Sequence, residues 1–254
     1  MKAKKSLGQH WLLDPKVTTT MLKAGPVGPE DVVLEIGPGT GALTAELLKV
    51  AKQIIAVETD SRLITLLQQK FSESIKSGRL KLIAADIRTI EPDELGLVTG
   101  GWKLVANIPY FLTGLLLRKF LTHHNQPQQI IVMVQNEVGE RVVTTNNKES
   151  LLSISVKMFG TPRYVAKVPA SAFQPTPKVD SCILTIDNIS RAHFQTTSEE
   201  TFFNLVKHGF AHKRKKLISN LKLTVEQFKP CGLDPQIRAE TVSLEQWLCL
   251  TNNS

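Results

Sequence analysis

Between residue 31 and about residue 135, short apolar runs alternate with longer amphipathic stretches: DVVLEIG, GALTAELLKV, QIIAVE, DSRLITLLQQKF, LKLIAAD, WKLVAN, LLLRKFL and QIIVMVQ. An apolar run of strand length, stopped by turn residues, predicts a strand covered on both faces, and a helical period between such runs predicts the covering helices. The alternation therefore predicts an α/β fold, a doubly wound and mostly parallel sheet whose ligand lies beyond the C-terminal ends of the strands. Past residue 150 the pattern changes. A helical stretch, SLLSISVKMF, is followed by two strand-like runs, RYVAKV and KVDSCILTI, joined by PASAFQPTP. Two runs joined this closely predict an antiparallel pair at the sheet edge. From about residue 190 no strand pattern remains. Ser198 followed by Glu199 and Glu200, Thr224 by Gln227, and Ser243 by Gln246 are expected helix starts, the last two with capping-box spacing. The expected organisation is an α/β domain over 1–189, with a basic segment at 1–25, and a small all-α domain over 190–254.

Composition narrows the class. The chain has 254 residues, 42% hydrophobic and 21% charged, which suits one large domain with a smaller one. No apolar run approaches about 18 residues and the N-terminus lacks a signal-peptide core, so no membrane partner and a cytoplasmic location are expected. Cys182, Cys231 and Cys249 form no Cys-x-x-Cys pair, and separate buried thiols are expected. His208 and His212 stand one helical turn apart without a third ligand in view, so no metal is expected.

The net charge of +8 is unevenly placed. Residues 1–23 hold five Lys and one Asp, residues 204–222 hold five Lys, one Arg and no acid, and the rest of the chain is close to neutral. Two cationic segments on a neutral body are the footprint of polyanion contact, and the expected RNA-binding residues are Lys4, Lys5, Lys213, Arg214, Lys215 and Lys216. The competing reading of Lys213 to Lys216 is a solvated helix end.

EIGPGTGALT, residues 35–44, sets Gly37, Gly39 and Gly41 between the first long strand and a helix, where glycine lets a ligand approach the backbone. The G-x-G-x-G spacing differs from the dinucleotide fingerprint, and G-K-[ST] is missing, which disfavours a triphosphate. Glu58 ends QIIAVE and can accept ribose hydroxyls; Asp86 ends LKLIAAD and can accept from an adenine amine. Singly, either acid reads as well as a helix cap. In this order they describe a pocket for a nucleoside without a phosphate tail, as in S-adenosylmethionine.

VANIPYF, residues 105–111, places Asn107, Pro109, Tyr110 and Phe111 where an apolar run stops. It reads either as a turn or as a site for something flat and polar. SLGQHWL, EIGPGTGALT, ANIPY, VMVQNEVGER and FQPTPKVDS together, in this order, resemble the small-subunit (16S) ribosomal RNA adenine N6,N6-dimethyltransferase family over nearly the whole chain. The resemblance implies a Rossmann-like class I methyltransferase fold with a seven-stranded sheet, S-adenosyl-L-methionine as methyl donor, and residues 1–25 closing over that donor. It implies cofactor contacts from His10, Leu12, Gly37, Gly39, Glu58, Asp86 and Asn107. Many family members carry Asn where this chain has His10.

For catalysis the resemblance implies Asn107, Pro109, Tyr110 and Phe173. The lone pair of an adenine amine is delocalised into the ring; acceptors at the Asn107 carboxamide and the Ile108 carbonyl would hold that nitrogen toward tetrahedral geometry. Pro109 would fix the carbonyl, and Tyr110 and Phe173 would sandwich an extruded base. The expected activity is dimethylation of two adjacent adenosines near the 3′ end of small-subunit rRNA in pre-30S particles, by a monomer with a role in ribosome biogenesis. The alternatives are a large-subunit rRNA adenine-N6 resistance methyltransferase and a mainly non-catalytic assembly factor.

Overall fold

A computed structural model describes residues 3–4, 8–144 and 148–253; Lys5, an expected RNA contact, lies outside the described residues. Packing divides the chain into two units: residues 1–139 with 163–189, and residues 140–162 with 190–254.

The first unit begins with β1 (Trp11–Leu12) and α1 (Pro15–Ala24), the latter capped by the Asp14 carboxylate, which accepts from the Lys16 N–H. Then β2 (Val32–Ile36), α2 (Ala42–Val50), β3 (Gln53–Glu58), α3 (Ser61–Lys70), α4 (Ser72–Lys76) and β4 (Leu80–Ala84) alternate as the apolar pattern predicts. They are followed by β5 (Trp102–Asn107), α5 (Thr113–Thr122), β6 (Gln129–Gln135), α6 (Asn136–Val143), α7 (Leu151–Lys157), β7 (Thr161–Val168), β8 (Phe173–Gln174) and β9 (Ser181–Asp187). Of these, α7 belongs to the second unit, and α6 and β7 each span a division between the two.

One sheet holds seven strands in the order β4-β3-β2-β5-β6-β9-β7, with β2 through β6 parallel and β9 antiparallel to β6. The chain runs outward from β2 through β3 to β4, then returns to the other side of β2 with β5. This reversal opens a crevice at the strands' C-terminal ends. Register fixes what meets there: Ile36 pairs with Val57 on one side and Ala106 on the other, so the next residues, Gly37, Glu58 and Asn107, emerge side by side. The central strands are mostly apolar because helices cover both faces; Ile54, Val105, Ile131 and Met133 are fully buried. A feature missing from the sequence reading is a second, two-stranded sheet, in which β1 pairs antiparallel with β8, Leu12 opposite Phe173. Strands of two residues carry no periodicity to detect.

The second unit is helical apart from the start of β7. It includes α7, capped reciprocally by Ser150 and Ser153, and continues with α8 (Glu199–Gly209), α9 (Leu217–Leu221), α10 (Val225–Phe228) and α11 (Leu244–Asn252). The expected starts hold: Ser198 accepts from the Thr201 N–H, and the Thr224–Gln227 and Ser243–Gln246 boxes both form. Residues 140–162, expected with the α/β domain, group here because Phe159 stacks among Phe194 and Phe203 at 5.2 and 6.0 Å, and the Glu149 N–H donates to the Glu240 carbonyl at 2.7 Å. One expectation is corrected: Cys231 and Cys249 are joined in a disulfide, S–S 2.04 Å, rather than being separate thiols. Their separation of 18 residues has no local signature, and helix packing brings them together. Cys182 is the buried free thiol that was expected. Among the described residues no helix is long and apolar enough to cross a membrane.

Candidate active site

Residues after β2, β3, β4 and β5 line one crevice together with the N-terminal segment. The glycine-rich turn follows β2, its Gly37 N–H donating to the Val57 carbonyl at 2.9 Å. Gly37 has φ +64°, and a Cβ there would meet no atom within 4 Å. Open space at the backbone is what a closely approaching ligand requires. Gly41, also left-handed at φ +80°, differs: its Cβ would lie 2.5 Å from Phe71 and 2.9 Å from Leu67.

Glu58 is almost fully buried. One carboxylate oxygen accepts from the Thr59 and Asp60 N–H groups at 2.8 and 2.9 Å, and the other from the Gly39 N–H at 3.3 Å. A carboxylate offers about four acceptor sites, so three are filled and roughly one stands open to a ribose hydroxyl. The long Gly39 bond is the one a second hydroxyl would displace. Burial raises the carboxyl pKa of Glu58, against the opposing pull of these N–H groups. Asp86 lies two residues beyond the end of β4 and already chelates Arg88, whose Nε sits 2.9 Å from Oδ2 and 3.0 Å from Oδ1. That guanidinium holds the Asp86 pKa below the usual range, keeping an anion at the crevice edge.

Asn107 ends β5. Its Nδ2 donates to the His10 carbonyl at 3.2 Å, which fixes the orientation of the carboxamide and leaves Oδ1 as the end free to accept. Among the described residues no donor reaches that oxygen. Pro109 carries the chain into a short 3₁₀ turn that begins at Tyr110. The Tyr110 hydroxyl bonds the Ser181 hydroxyl at 2.7 Å, so its ring is held in place. Burial raises the pKa of this phenol, which stays neutral.

His10 is held through both its ring and its backbone. Its Nδ1 lies 2.7 Å from the Pro175 carbonyl, which can only accept, so Nδ1 carries the proton. Its ring stacks over Tyr110 with centroids 5.9 Å apart and planes 20° from parallel. Leu12 lines the crevice as expected. Phe173 does not: it is 2% exposed, within the hydrophobic core opposite Leu12, and is not a crevice wall. Lys4, expected on RNA, points its ammonium at Asp60, 3.4 Å away. Asp60 also accepts from Gln9 Nε2 at 3.1 Å and from Arg62, so this carboxylate fastens the N-terminal segment beside Glu58. Those donors, Arg62 foremost, drive its pKa far down.

Two further residues were missed. Trp11 lines the crevice beside Gly39, and its indole N–H is buried without a partner among the described residues. Glu35, inside β2, is fully buried, accepts from the Thr44 hydroxyl at 2.8 Å, and is pushed up to about 8 by desolvation. The signal for Glu35 was present: a lone acid inside VVLEI. For Trp11 there was none beyond its place between His10 and Leu12.

An open glycine cradle, an unsatisfied indole donor and an acceptor site on Glu58 fit a nucleoside carrying a polar tail. S-adenosylmethionine satisfies each of the three.

In the second unit, residues 211–216 form an exposed turn between α8 and α9. Lys213, Arg214, Lys215 and Lys216 have no carboxylate partner among the described residues, and so their charge is not neutralised internally.

Comparison with known proteins agrees over nearly the full length. The model of the family described as ribosomal RNA adenine dimethylase matches residues 1–253. A ribosomal RNA small subunit methyltransferase A from Dehalococcoides mccartyi (strain CBDB1) is 42% identical over 260 residues, 98% of this chain and 88% of that protein. A dimethyladenosine transferase from Plasmodium falciparum superposes with a TM-score of 0.78 at 26% identity, covering 95% of this chain and 96% of that one. The 23S rRNA methyltransferase ErmE shares the fold, with a TM-score of 0.76 at 24% identity over 96% and 98% of the two chains.

Proposed function

The chain belongs to the ribosomal RNA adenine dimethylase family, and from that premise we propose that it recognises small-subunit rRNA within an assembling pre-30S particle, modifying two adjacent adenosines near the 3′ end. Its activity is that of an S-adenosylmethionine-dependent rRNA adenine-N6,N6-dimethyltransferase. The observation that carries the site assignment is Asn107: a crevice-lining carboxamide, beside Glu58 and Tyr110, whose nitrogen is anchored on the His10 carbonyl and whose oxygen is left to accept.

When bound, the cofactor supplies an electrophilic methyl on a sulfonium sulfur. The residues of this chain prepare the nucleophile. Asn107 Oδ1 and the Ile108 carbonyl accept the two N6 hydrogens, drawing the lone pair out of ring conjugation and aiming it at the methyl. This nitrogen would take the methyl of the bound donor, with the S–C electron pair kept on the sulfur. The nitrogen becomes cationic beside these acceptors and then releases a proton to water. No low-pKa base is required. Tyr110, fixed by Ser181, offers its ring to the extruded base, a stack worth about 1–3 kcal/mol. The His10 imidazole at that ring marks where the base would lie or what it would displace. Phe173 supports the Leu12 strand from the core, behind the wall rather than as the wall. Glu58, Gly37, Gly39, Leu12, Asp86 and Trp11 would hold the donor, and Asp86 would give up part of its Arg88 chelate to accept from the adenine amine.

RNA phosphates are met by Lys213, Arg214, Lys215 and Lys216, in the helical part of the chain that starts near residue 190. Lys4 contributes mainly through Asp60. A monomer acting in the cytoplasm suits these features. The test is to incubate the protein and labelled methyl donor with unmethylated small subunits, large subunits and naked rRNA, then map the product. Dimethyladenosine near the 3′ end of the small-subunit RNA is expected; label in large subunits alone would overturn the assignment.

A further inference from the structure

At the N-terminal edge of the sheet, away from the crevice, the loop entering β6 meets the segment that leads into β5. The Gln128 N–H donates to the Trp102 carbonyl at 2.8 Å and the Gly100 N–H to the Gln126 carbonyl at 3.0 Å. On this seam His123, His124 and Asp93 gather, each presenting a ligand atom within 4.8 Å of the others. His124 Nε2 is 2.9 Å from Asp93 Oδ2, the two imidazoles lie 4.2 Å apart, and Glu91 Oε2 stands 3.7 Å from His123 Nε2.

We propose that Asp93, His123 and His124 form a binding site for a divalent transition ion, of which zinc is the type, clipping the β4–β5 connection to the start of β6. Two imidazoles and a carboxylate are a donor set suited to such ions. The carboxylate is already oriented. Asn125, buried and bonded through its oxygen to the Trp102 indole N–H at 3.0 Å, donates Nδ2 to Asp93 Oδ1 at 2.6 Å. Oδ1 is thereby occupied and Oδ2 is turned to the histidines, the kind of outer support that metal sites use. Donors about 2.0–2.1 Å from a tetrahedral ion stand roughly 3.4 Å apart. The present spread, at most 4.8 Å, thus closes with roughly 1.4 Å of side-chain movement at its widest. Glu91, held by Lys119 at 3.0 Å, is placed to accept from His123 or to enter as a fourth ligand.

The geometry makes a specific demand on His123. Its Nδ1 now accepts from the Asn125 N–H at 3.0 Å. If the ion takes Nδ1, that lone pair is lost; if it takes Nε2, the ring proton moves to Nδ1 and faces the same N–H. Either way the Asn125 bond breaks on binding, and its amide resonance must move.

The test is calorimetric titration of the full chain with zinc chloride at pH 7.5, alongside amide NMR spectra. One equivalent should bind, with the Asn125 amide among the shifted resonances. His124→Gln and Asp93→Asn should each weaken affinity at least about tenfold, whereas the double variant His208→Gln/His212→Gln should bind as the native chain does. His124 is exposed, so folding of its variant is readily verified by the same spectra. Undiminished binding in both His124→Gln and Asp93→Asn, a loss in the His208/His212 variant, or no binding below millimolar zinc would overturn the proposal.

Discussion

Two glycines of one turn should fail in different ways when given a methyl group. Gly37 and Gly41 both have φ in the left-handed region, so alanine at either incurs about 1–2 kcal/mol of backbone strain. At Gly37 nothing lies within 4 Å of the new carbon, so strain is the whole stability effect. At Gly41 the new carbon sits 2.5 Å from Phe71 and 2.9 Å from Leu67, both buried, adding an overpacking penalty of about 1–3 kcal/mol. The sums are about 1–2 kcal/mol for Gly37→Ala and about 2–5 kcal/mol for Gly41→Ala. At about 2–4 °C per kcal/mol for a chain of this size, melting should fall by about 2–8 °C and about 4–20 °C respectively. Ligand binding should rank the other way, because the proposed cofactor approach to the backbone uses the open space at Gly37. Gly37→Ala should weaken S-adenosylmethionine binding at least about tenfold, near 1.4 kcal/mol, and lose the ligand-induced rise in melting temperature. Gly41→Ala, once folded, should keep it. Thermal melts with and without cofactor, plus calorimetry, measure both axes. If Gly37→Ala bound cofactor like the native chain, or destabilised as much as Gly41→Ala, the placement of the cradle would be wrong.

Asn107→Ala should lower kcat by about 10²–10³-fold, the scale for removing one preorganised polar group from a transition state, while RNA binding measured by filter retention survives; unchanged turnover would remove Asn107 from the chemistry. Neutralising Lys213, Arg214, Lys215 and Lys216 together should flatten the plot of log affinity for RNA against log salt, by up to about 3 in slope, and an unaltered slope would leave the turn a solvated surface. Glu35 has its pKa raised from 4.5 to about 8 by burial, so the folded state holds its proton more tightly and stability declines as pH rises across that window. In denaturant titrations at pH 5.5, 7 and 8.5, Glu35→Gln should show a shallower decline than the native chain, with the slope from Glu58, raised in the same direction, still present.

What was legible in the sequence and what was not divide along a physical line. The parallel strands β2, β3, β5 and β6 were readable because each is largely buried on both faces and so mostly apolar, and the edge strand β4 because its run LKLIA keeps an apolar majority. Gly37, Glu58 and Asn107 were readable as neighbours in one crevice because register carries the end of each run to the same edge. Asp86 was placed at a strand end and found two residues past it, already paired to Arg88, because an isolated acid in a sequence does not disclose its partner. Phe173 kept its place in the family motif, but it is 2% exposed and packed in the hydrophobic core cluster with Leu12, its cross-strand partner.

The unread contacts share a cause. Each joins the N-terminal segment to residues remote in sequence: His10 to Pro175 and Asn107, Gln9 and Lys4 to Asp60, Trp11 to the face of Gly39. Residues 8–12 therefore complete the crevice from outside the sheet, and a single strap touches both the glycine-rich turn and the Asn107 carboxamide. The Asn107 oxygen can face a substrate because the His10 carbonyl holds its nitrogen, and the His10 ring is held in turn by Pro175. The His10 side chain thus adds an aromatic face over Tyr110 while the backbone contact to Asn107 is independent of side-chain identity. Substitution at residue 10 should consequently disturb stacking at Tyr110 more than the orientation of the Asn107 carboxamide.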